Sequence, residues 1–286
     1  MNLAGSVAVI TGAARGIGKA TALEFSRRGA AVLLSDIDEQ ALLEVRSLIE
    51  DSGGKVAAAR ADVAKEDEVR GLVDTSVAEL GGMDVFVSNA GVSVSGPAES
   101  IPLEDWHWIV DINMWAHVWA VRACLPRLKA QGKGHLVHIA SAAGILGTPA
   151  LSAYCMTKFA VVGLAESLAV SLQGTGVGVS VVCPLWVTTD IVNSGRVTLD
   201  PDLPLSVEES KQMADTMLRS GGIAPSKVGA DIADAVEQER FMVLPHPEVL
   251  KFAQAKWADP ERYVRRAAEA LSVQSEFFGE ATKPKS

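Results

Sequence analysis

Val7-Ala8-Val9-Ile10-Thr11-Gly12-Ala13-Ala14-Arg15-Gly16-Ile17-Gly18-Lys19-Ala20 opens the chain and decides its fold class. Four apolar residues read as a buried strand, the glycines at 12, 16 and 18 as a turn. Ala20, Ala22, Leu23 and Phe25 then start a helical pattern. Strand, glycine turn and helix is the arrangement that aims the free amides of a helix N-terminus at a diphosphate. The spacing is Gly-x-x-x-Gly-x-Gly rather than Gly-x-Gly-x-x-Gly. It is not a phosphate loop of the Walker type, because Ala20 stands where that loop needs Ser or Thr for magnesium. A ligand-free turn between strand and helix would look the same locally, so the rest of the chain must decide.

Outward from this turn, strand and helix signals alternate. Strands are expected at 6–11, 31–36, 56–61, 83–88, 134–140, 177–183 and 240–244. Helices are expected at 16–28, 38–52, 66–80, 103–130, 152–173, 206–219 and 226–238. The strands are continuous Val/Ile/Leu/Ala runs, as in a parallel sheet covered on both faces. The expectation is an α/β fold: a Rossmann-type doubly wound parallel sheet of about seven strands. Residues 1–245 should form one catalytic domain, since no linker interrupts the alternation. The stretch 190–225 is polar and punctuated by Pro and Gly, with Leu and Met between, and is expected to be a substrate lid. Residues 246–286 should form a C-terminal helical extension, broken by Pro247 and Pro260, with a flexible tail.

Composition excludes several functions. A net charge of −9 argues against nucleic acid as a partner. There is no run of eighteen uncharged apolar residues, so no membrane span is expected, and a strand so near the start leaves no room for a leader. Cys124, Cys155 and Cys183 show neither paired nor metal-like spacing, which fits a reducing cytoplasm. Cys155 points about 100° away from Tyr154 on a helix and reads as packing. No metal site is expected. His135 and His138 are three apart on a strand and so face opposite ways, and His138 reads as core.

The chemistry is carried by Tyr154-Cys155-Met156-Thr157-Lys158, with Ser141 thirteen residues before the tyrosine. Tyr and Lys four apart on a helix share one face. A free phenol, with pKa about 10, is a poor base at neutral pH. A neighbouring ammonium stabilises the phenolate and is expected to draw that pKa down.

Thr11-Gly12-x-x-x-Gly16-x-Gly18, Asp62-Val63, Asn89-Ala90-Gly91, Asn113, Ser141, Tyr154-x-x-x-Lys158 and Pro184 through Thr189 follow one another at consistent spacing. Together they resemble the short-chain dehydrogenase/reductase family over roughly residues 3–245. The resemblance implies that Tyr154 is the general acid/base, with Lys158 lowering its pKa and binding the nicotinamide ribose. It further implies that Ser141 steadies the reacting oxygen and that Asn113 holds a water linking Lys158 to solvent.

For the cofactor, the resemblance implies contacts from Gly12, Arg15, Gly16, Ile17 and Gly18, and from Asp62 and Val63 at the adenine. Asn89, Ala90 and Gly91 follow, with Asn89 tying strands together, then Pro184, Val187 and Thr189. Leu185 replaces the family's usual Gly, so a left-handed backbone is not expected there. Asp36 ends the second strand, about twenty positions after the turn, where a carboxylate takes ribose hydroxyls and repels a 2′-phosphate. Asp36 favours NAD; Arg15 pulls toward NADP, the second choice. Asp38 is expected to cap the next helix.

The expected activity is hydride transfer between NAD(H) and a hydrophobic secondary alcohol or ketone. The substrate wall is expected from Ser93, Val94, Ala143, Ile145, Leu151, Leu185 and Trp186, a mostly apolar set. Two alternatives stand: an NADP-dependent carbonyl or acyl-chain reductase, and a dinucleotide-binding sensor or scaffold without turnover. Trp106, Trp108, Trp115 and Trp119 crowd one helix, and the resemblance implies a homodimer or homotetramer through it.

Overall fold

A computed structural model describes residues 1–199 and 206–269 of the chain. The chain runs β1 (Val7–Thr11), α1 (Gly16–Arg27), β2 (Ala31–Asp36), α2 (Glu39–Asp51), β3 (Val56–Arg60), α3 (Glu66–Leu80) and β4 (Val85–Ser88). There follow β5 (Val94–Ser95), α4 (Leu103–Val110), a π-helical turn (Asp111–Trp115), α5 (Ala116–Gln131), β6 (Gly134–Ile139), α6 (Ser152–Ser171) and β7 (Val177–Val182). The rest is β8 (Arg196–Val197), α7 (Val207–Gly221), α8 (Pro225–Gln238), β9 (Met242–Val243), α9 (Glu248–Ala258) and α10 over 260–269.

Seven strands form one all-parallel sheet in the order β3-β2-β1-β4-β6-β7-β9. Alternate strand residues feed opposite cores, as a pleat of period two requires. Ala8 and Ile10 of β1 and Val32 and Leu34 of β2 pack under α1, α2 and α8. Val9 and Leu33 pack on the other face under α3, α5 and α6. The order reverses between β1 and β4, and the crevice beyond their carboxyl ends is where ligands bind in such sheets. Thr11 ends β1 there and Ser88 ends β4.

The expected seven strands and first three helices appear within a residue or two of their predicted bounds. Two details correct the reading, the π turn within 103–130 and the short strands β5 and β8. Helix 103–130 is not uniform: α4 passes through the π turn into α5, and a π turn takes one more residue per turn. The helix expected at 206–219 appears as α7, started by a capping box of Ser206 and Glu209. Two short strands escaped notice: β5 pairs β8, tying the segment after Gly91 to the base of the expected lid. Among the described helices α6 alone has the length and composition that could cross a membrane. Its Ala153, Thr157, Lys158, Val161 and Ala165 are nonetheless buried within this fold. The expected flexible tail beyond 269, and lid residues 200–205, lie outside the described residues.

Candidate active site

The glycine turn is built as its sequence demands. Gly12 and Gly16 have φ of 63° and 53°, a region that favours glycine. A Cβ on Gly18 would meet the Gly12 carbonyl and the Asn89 amide. Asn89 ties the strands as expected: its Nδ2 donates to the carbonyls of Thr11 (2.9 Å) and Gly12 (3.1 Å). Thr11 Oγ1 accepts from the amides of Asn89 (3.0 Å) and Ala90 (3.2 Å). The N-terminus of α1 has neither a side-chain cap nor an acidic residue in its first turn. Such an end suits an anion. A cavity of about 440 Å³ runs along the flank of α1 from Gly16 past Leu23 and Glu24 to Arg27, with Thr188, Thr189, Asp190 and Arg219 opposite.

At the end of β2, Asp36 Oδ2 accepts from Ala14 N (3.0 Å) and Oδ1 from Asp38 N (3.1 Å), which fixes the carboxylate beside the turn. Asp38 caps α2 by accepting from Ala41 N. Arg15 is paired with Asp38 at 2.6 Å, and that hydrogen bond raises the guanidinium's pKa. Asp62 follows β3; its Oδ1 accepts from Ala64 N (3.1 Å), while Val63 beside it is buried.

On the far side of the crevice, Ser141 caps a short 3₁₀ turn (Ala142–Gly144), its Oγ accepting from Ala143 N at 3.1 Å. Tyr154 stands in the first turn of α6, half-buried. Lys158 is 3 % exposed, and its Nζ donates to Ile139 O (3.0 Å) while lying 5.6 Å from the Tyr154 ring centroid. The phenol pKa does not fall as the sequence reading expected. Burial pushes it up to about 12, against a hydrogen bond with Ser141 that pulls it down. The physical reason is desolvation, which disfavours the charged phenolate. Burial in turn lowers Lys158 to about 8.

Asn113 sits in the π turn, fully buried. Its Oδ1 accepts from Val92 N and its Nδ2 donates to Val92 O, both at 2.8 Å, with Thr157 Oγ1 3.3 Å away. The side chain therefore pins the segment after Gly91 to α6. A Cβ on Gly91 would lie 3.3 Å from Asn113 Oδ1 and 3.5 Å from Lys158 Nζ, so glycine keeps this corner open.

The expected substrate wall is only partly brought together. Leu185, Ile145 and Leu151 are half-buried, and Trp186 is 42 % exposed. Val94, in β5, is fully buried in a small core with Ile101, Ile109 and Ala153 that Tyr154 packs against, and Ala143 is buried. Ser93 Oγ is engaged, donating to Ile191 O at 3.2 Å. Leu185 has no left-handed backbone, as expected; among the described non-glycine residues only Ala150 and Glu239 do. Pro184 is buried and its carbonyl accepts from Ala142 N. Val187 bridges to Ile223, and Thr189 lies opposite Gly16.

Two features went unread. His246 Nδ1 accepts from Leu185 N at 3.1 Å. Beneath Lys158, His117 of α5 meets His138 of β6 with their Nδ1 atoms 3.0 Å apart. His117 follows Asn113 by four residues, which was the available signal. Burial holds His138 down to about 4 and His117 well below its ordinary value.

The family model described as short chain dehydrogenase matches residues 6–199. This chain belongs to the short-chain dehydrogenase/reductase family. It is 34% identical over 255 residues to a CLA biosynthesis dehydrogenase/reductase of Lactiplantibacillus plantarum, covering 85% of this chain and 88% of the relative. It is 40% identical over 195 residues to the 1-deoxy-11-beta-hydroxypentalenate dehydrogenase of Streptomyces exfoliatus, covering 67% and 71%. A crystal structure of a short chain dehydrogenase/reductase from Burkholderia phymatum in complex with NAD superposes with a TM-score of 0.85 at 31% identity, covering 91% and 96%. Dehydrogenases of this family use NAD or NADP, and solved relatives carry one or the other. The uncapped α1, the glycine cradle and the Asp36 carboxylate fit such a dinucleotide. The chain is thus an oxidoreductase of the short-chain dehydrogenase type.

Proposed function

We propose that the protein transfers hydride between NAD(H) and a hydrophobic secondary alcohol or its ketone. The observation that carries this reading is the convergence of Ser141, Tyr154 and Lys158 across the crevice from the uncapped end of α1. Asp36, fixed beside the turn, would accept the adenosine ribose hydroxyls. Arg15, already paired with Asp38, is a weak counterweight toward NADP. Gly12, Gly16, Ile17 and Gly18 would approach the diphosphate, Asp62 and Val63 the adenine, and Asn89 to Gly91 with Pro184, Val187 and Thr189 the nicotinamide side. When bound, the nicotinamide gives or takes the hydride and, oxidised, adds positive charge to this corner.

Tyr154 moves the proton at the substrate oxygen, which Ser141 holds. With its pKa pushed up to about 12, the phenol is held protonated, the form that donates to a ketone. Lys158, charged at neutral pH even at about 8, stabilises the phenolate when the proton moves the other way. The half-buried Leu185, Ile145 and Leu151 support an apolar substrate. The stretch 190–225 would close over it, with the Gly221-Gly222 pair permitting hinge motion. The stacked Trp115 and Trp119, with Trp115 exposed, support association into a dimer or tetramer through α5.

The test is a panel of hydrophobic alcohols and ketones assayed with each nicotinamide at the reduced-cofactor absorbance band. Turnover of apolar secondary alcohols with NAD is the expected result. Preference for NADP would overturn the cofactor assignment, and dinucleotide binding without turnover of any member would point to a sensor.

A further inference from the structure

The segment 145–151 joins the two halves of the proposed catalytic pair. Its upstream end leaves the turn that Ser141 caps, and its downstream end enters α6 two residues before Tyr154. The segment has little regular structure, and Ala150 within it sits at φ 57°, a conformation costly for a residue with a Cβ. Something must hold it. Gly96 N donates to Ala150 O at 2.9 Å, and Thr148 N donates to Cys155 Sγ at 3.3 Å.

The remaining ties come from the C-terminal extension. Lys256 Nζ donates to Ile145 O at 2.7 Å, and Tyr263 Oη donates to Gly147 O at 3.1 Å. A carbonyl and two aromatic faces hold this ammonium, Phe159 of α6 at 4.7 Å and Trp257 at 5.0 Å to the ring centroids. Burial lowers its pKa. The break between α9 and α10 is itself organised: Asp259 Oδ1 accepts from Arg262 N, and Pro260 takes the first helical position. The extension enters through His246, which accepts from Leu185 N on the opposite wall. Val249, fully buried, fixes α9 between these contacts.

We propose that residues 246–263 form a clamp that sets the substrate pocket, with Lys256 and Tyr263 as positioning residues for the 145–151 wall and His246 for the Leu185 wall. The proposal rests on the hydride-transfer reading above and deepens it by naming what fixes the shape of the substrate site. A wall held at both sides accepts a bulky, rigid apolar alcohol in one orientation; a loosened wall loses that preference and leaves the dinucleotide end untouched.

The test uses the full chain carrying Lys256→Met and Tyr263→Phe, singly and together, with Lys256→Arg as the conservative control. Amide exchange is read first, without substrate. Exchange over 145–151 should accelerate in the Met and Phe variants and return toward wild type in Lys256→Arg, while β1 to α3 stay unchanged. Steady-state assays should then show KM for a bulky apolar alcohol raised about tenfold or more, the scale of a small misplacement of a reacting group. KM for a small secondary alcohol should move less, and KM for the dinucleotide not at all. Unchanged exchange over 145–151 in the double variant would overturn the clamp. So would acceleration spread through the whole sheet, which marks general destabilisation. If the wild type turns over no alcohol, the activity reading fails while the exchange result still decides the clamp.

Discussion

The two ends of the crevice are held in different ways. At the dinucleotide end, the turn of residues 11–18 is fixed by demands that few residue types can meet. Gly18 must lack a Cβ to lie against the Gly12 carbonyl, and Asn89 must offer an amide to two successive carbonyls. At the substrate end, residues 145–151 are fixed by ordinary donors from far away: Lys256 reaches Ile145 across 111 positions and Tyr263 reaches Gly147 across 116. Any long side chain with a donor could serve there. The first kind of constraint writes a motif and the second does not. A cofactor end is therefore recognisable across relatives, while a substrate end is free to drift.

The sharpest way to separate the two ends is Tyr154→Phe. Removing the phenol oxygen deletes the proton carrier and leaves the turn at 11–18 intact. Turnover should fall by about two to four orders of magnitude, roughly 3–5 kcal/mol of transition-state stabilisation. Dinucleotide affinity, measured by calorimetry, should be unchanged. A variant keeping more than about a tenth of its turnover would remove Tyr154 from the proton step.

That contrast also explains what the sequence could reveal. The continuous apolar runs of β1, β2, β6 and β7 predicted buried parallel strands because a doubly covered sheet tolerates nothing else. Gly12, Gly16, Gly18 and Asn89 were legible because backbone geometry or a specific acceptor requires each residue type. The π turn was not, since Asp111 to Trp115 carry ordinary helix-compatible side chains and only the pull of Val92 on Asn113 distinguishes them. β5 and β8 are two residues each and exist only because they pair. The rise of the Tyr154 pKa was missed because sequence gives the neighbouring charge but not the burial that outweighs it.

Between the two ends lies the buried His117–His138 pair, which predicts a pH dependence of the whole scaffold. His135, bonded through Nε2 to Ser180 Oγ (2.8 Å) on the other face of β6, is likewise held down to about 4. The facing charges are Lys158 and the His138 ring for His117, His135 for His138, and the N-terminus with Glu239 for His135. The folded pKa values lie below the ordinary 6.5, so below that pH the unfolded chain binds more protons. The associated stability is present above about 6.5 and lost as pH falls toward 4. For His138 alone the full swing is on the order of 3 kcal/mol. Urea midpoints should drop between pH 7 and pH 5, and the slope should flatten in His138→Asn. A wild-type midpoint that does not move over that range would contradict the buried neutral pair.

The smallest expected effect sharpens the comparison from the dinucleotide side. Asp36 is anchored by Ala14 N and Asp38 N, and the next residue, Ile37, is exposed. Asp36→Ala removes the charge that would repel a 2′-phosphate, and Ile37→Arg offers that phosphate a bidentate donor. In the double variant, kcat/KM with NADP relative to NAD should rise by about tenfold or more, which needs only about 1.4 kcal/mol. The order of preference among alcohol substrates should stay as it was, because residues 145–151 and 185–186 are held from elsewhere. If that order changed with the cofactor swap, the two ends would be coupled and the separation drawn here would not hold. If the unmodified protein already preferred NADP, Arg15 would outweigh Asp36 despite its pairing with Asp38, and the carboxylate at the end of β2 would be serving the turn rather than the ribose.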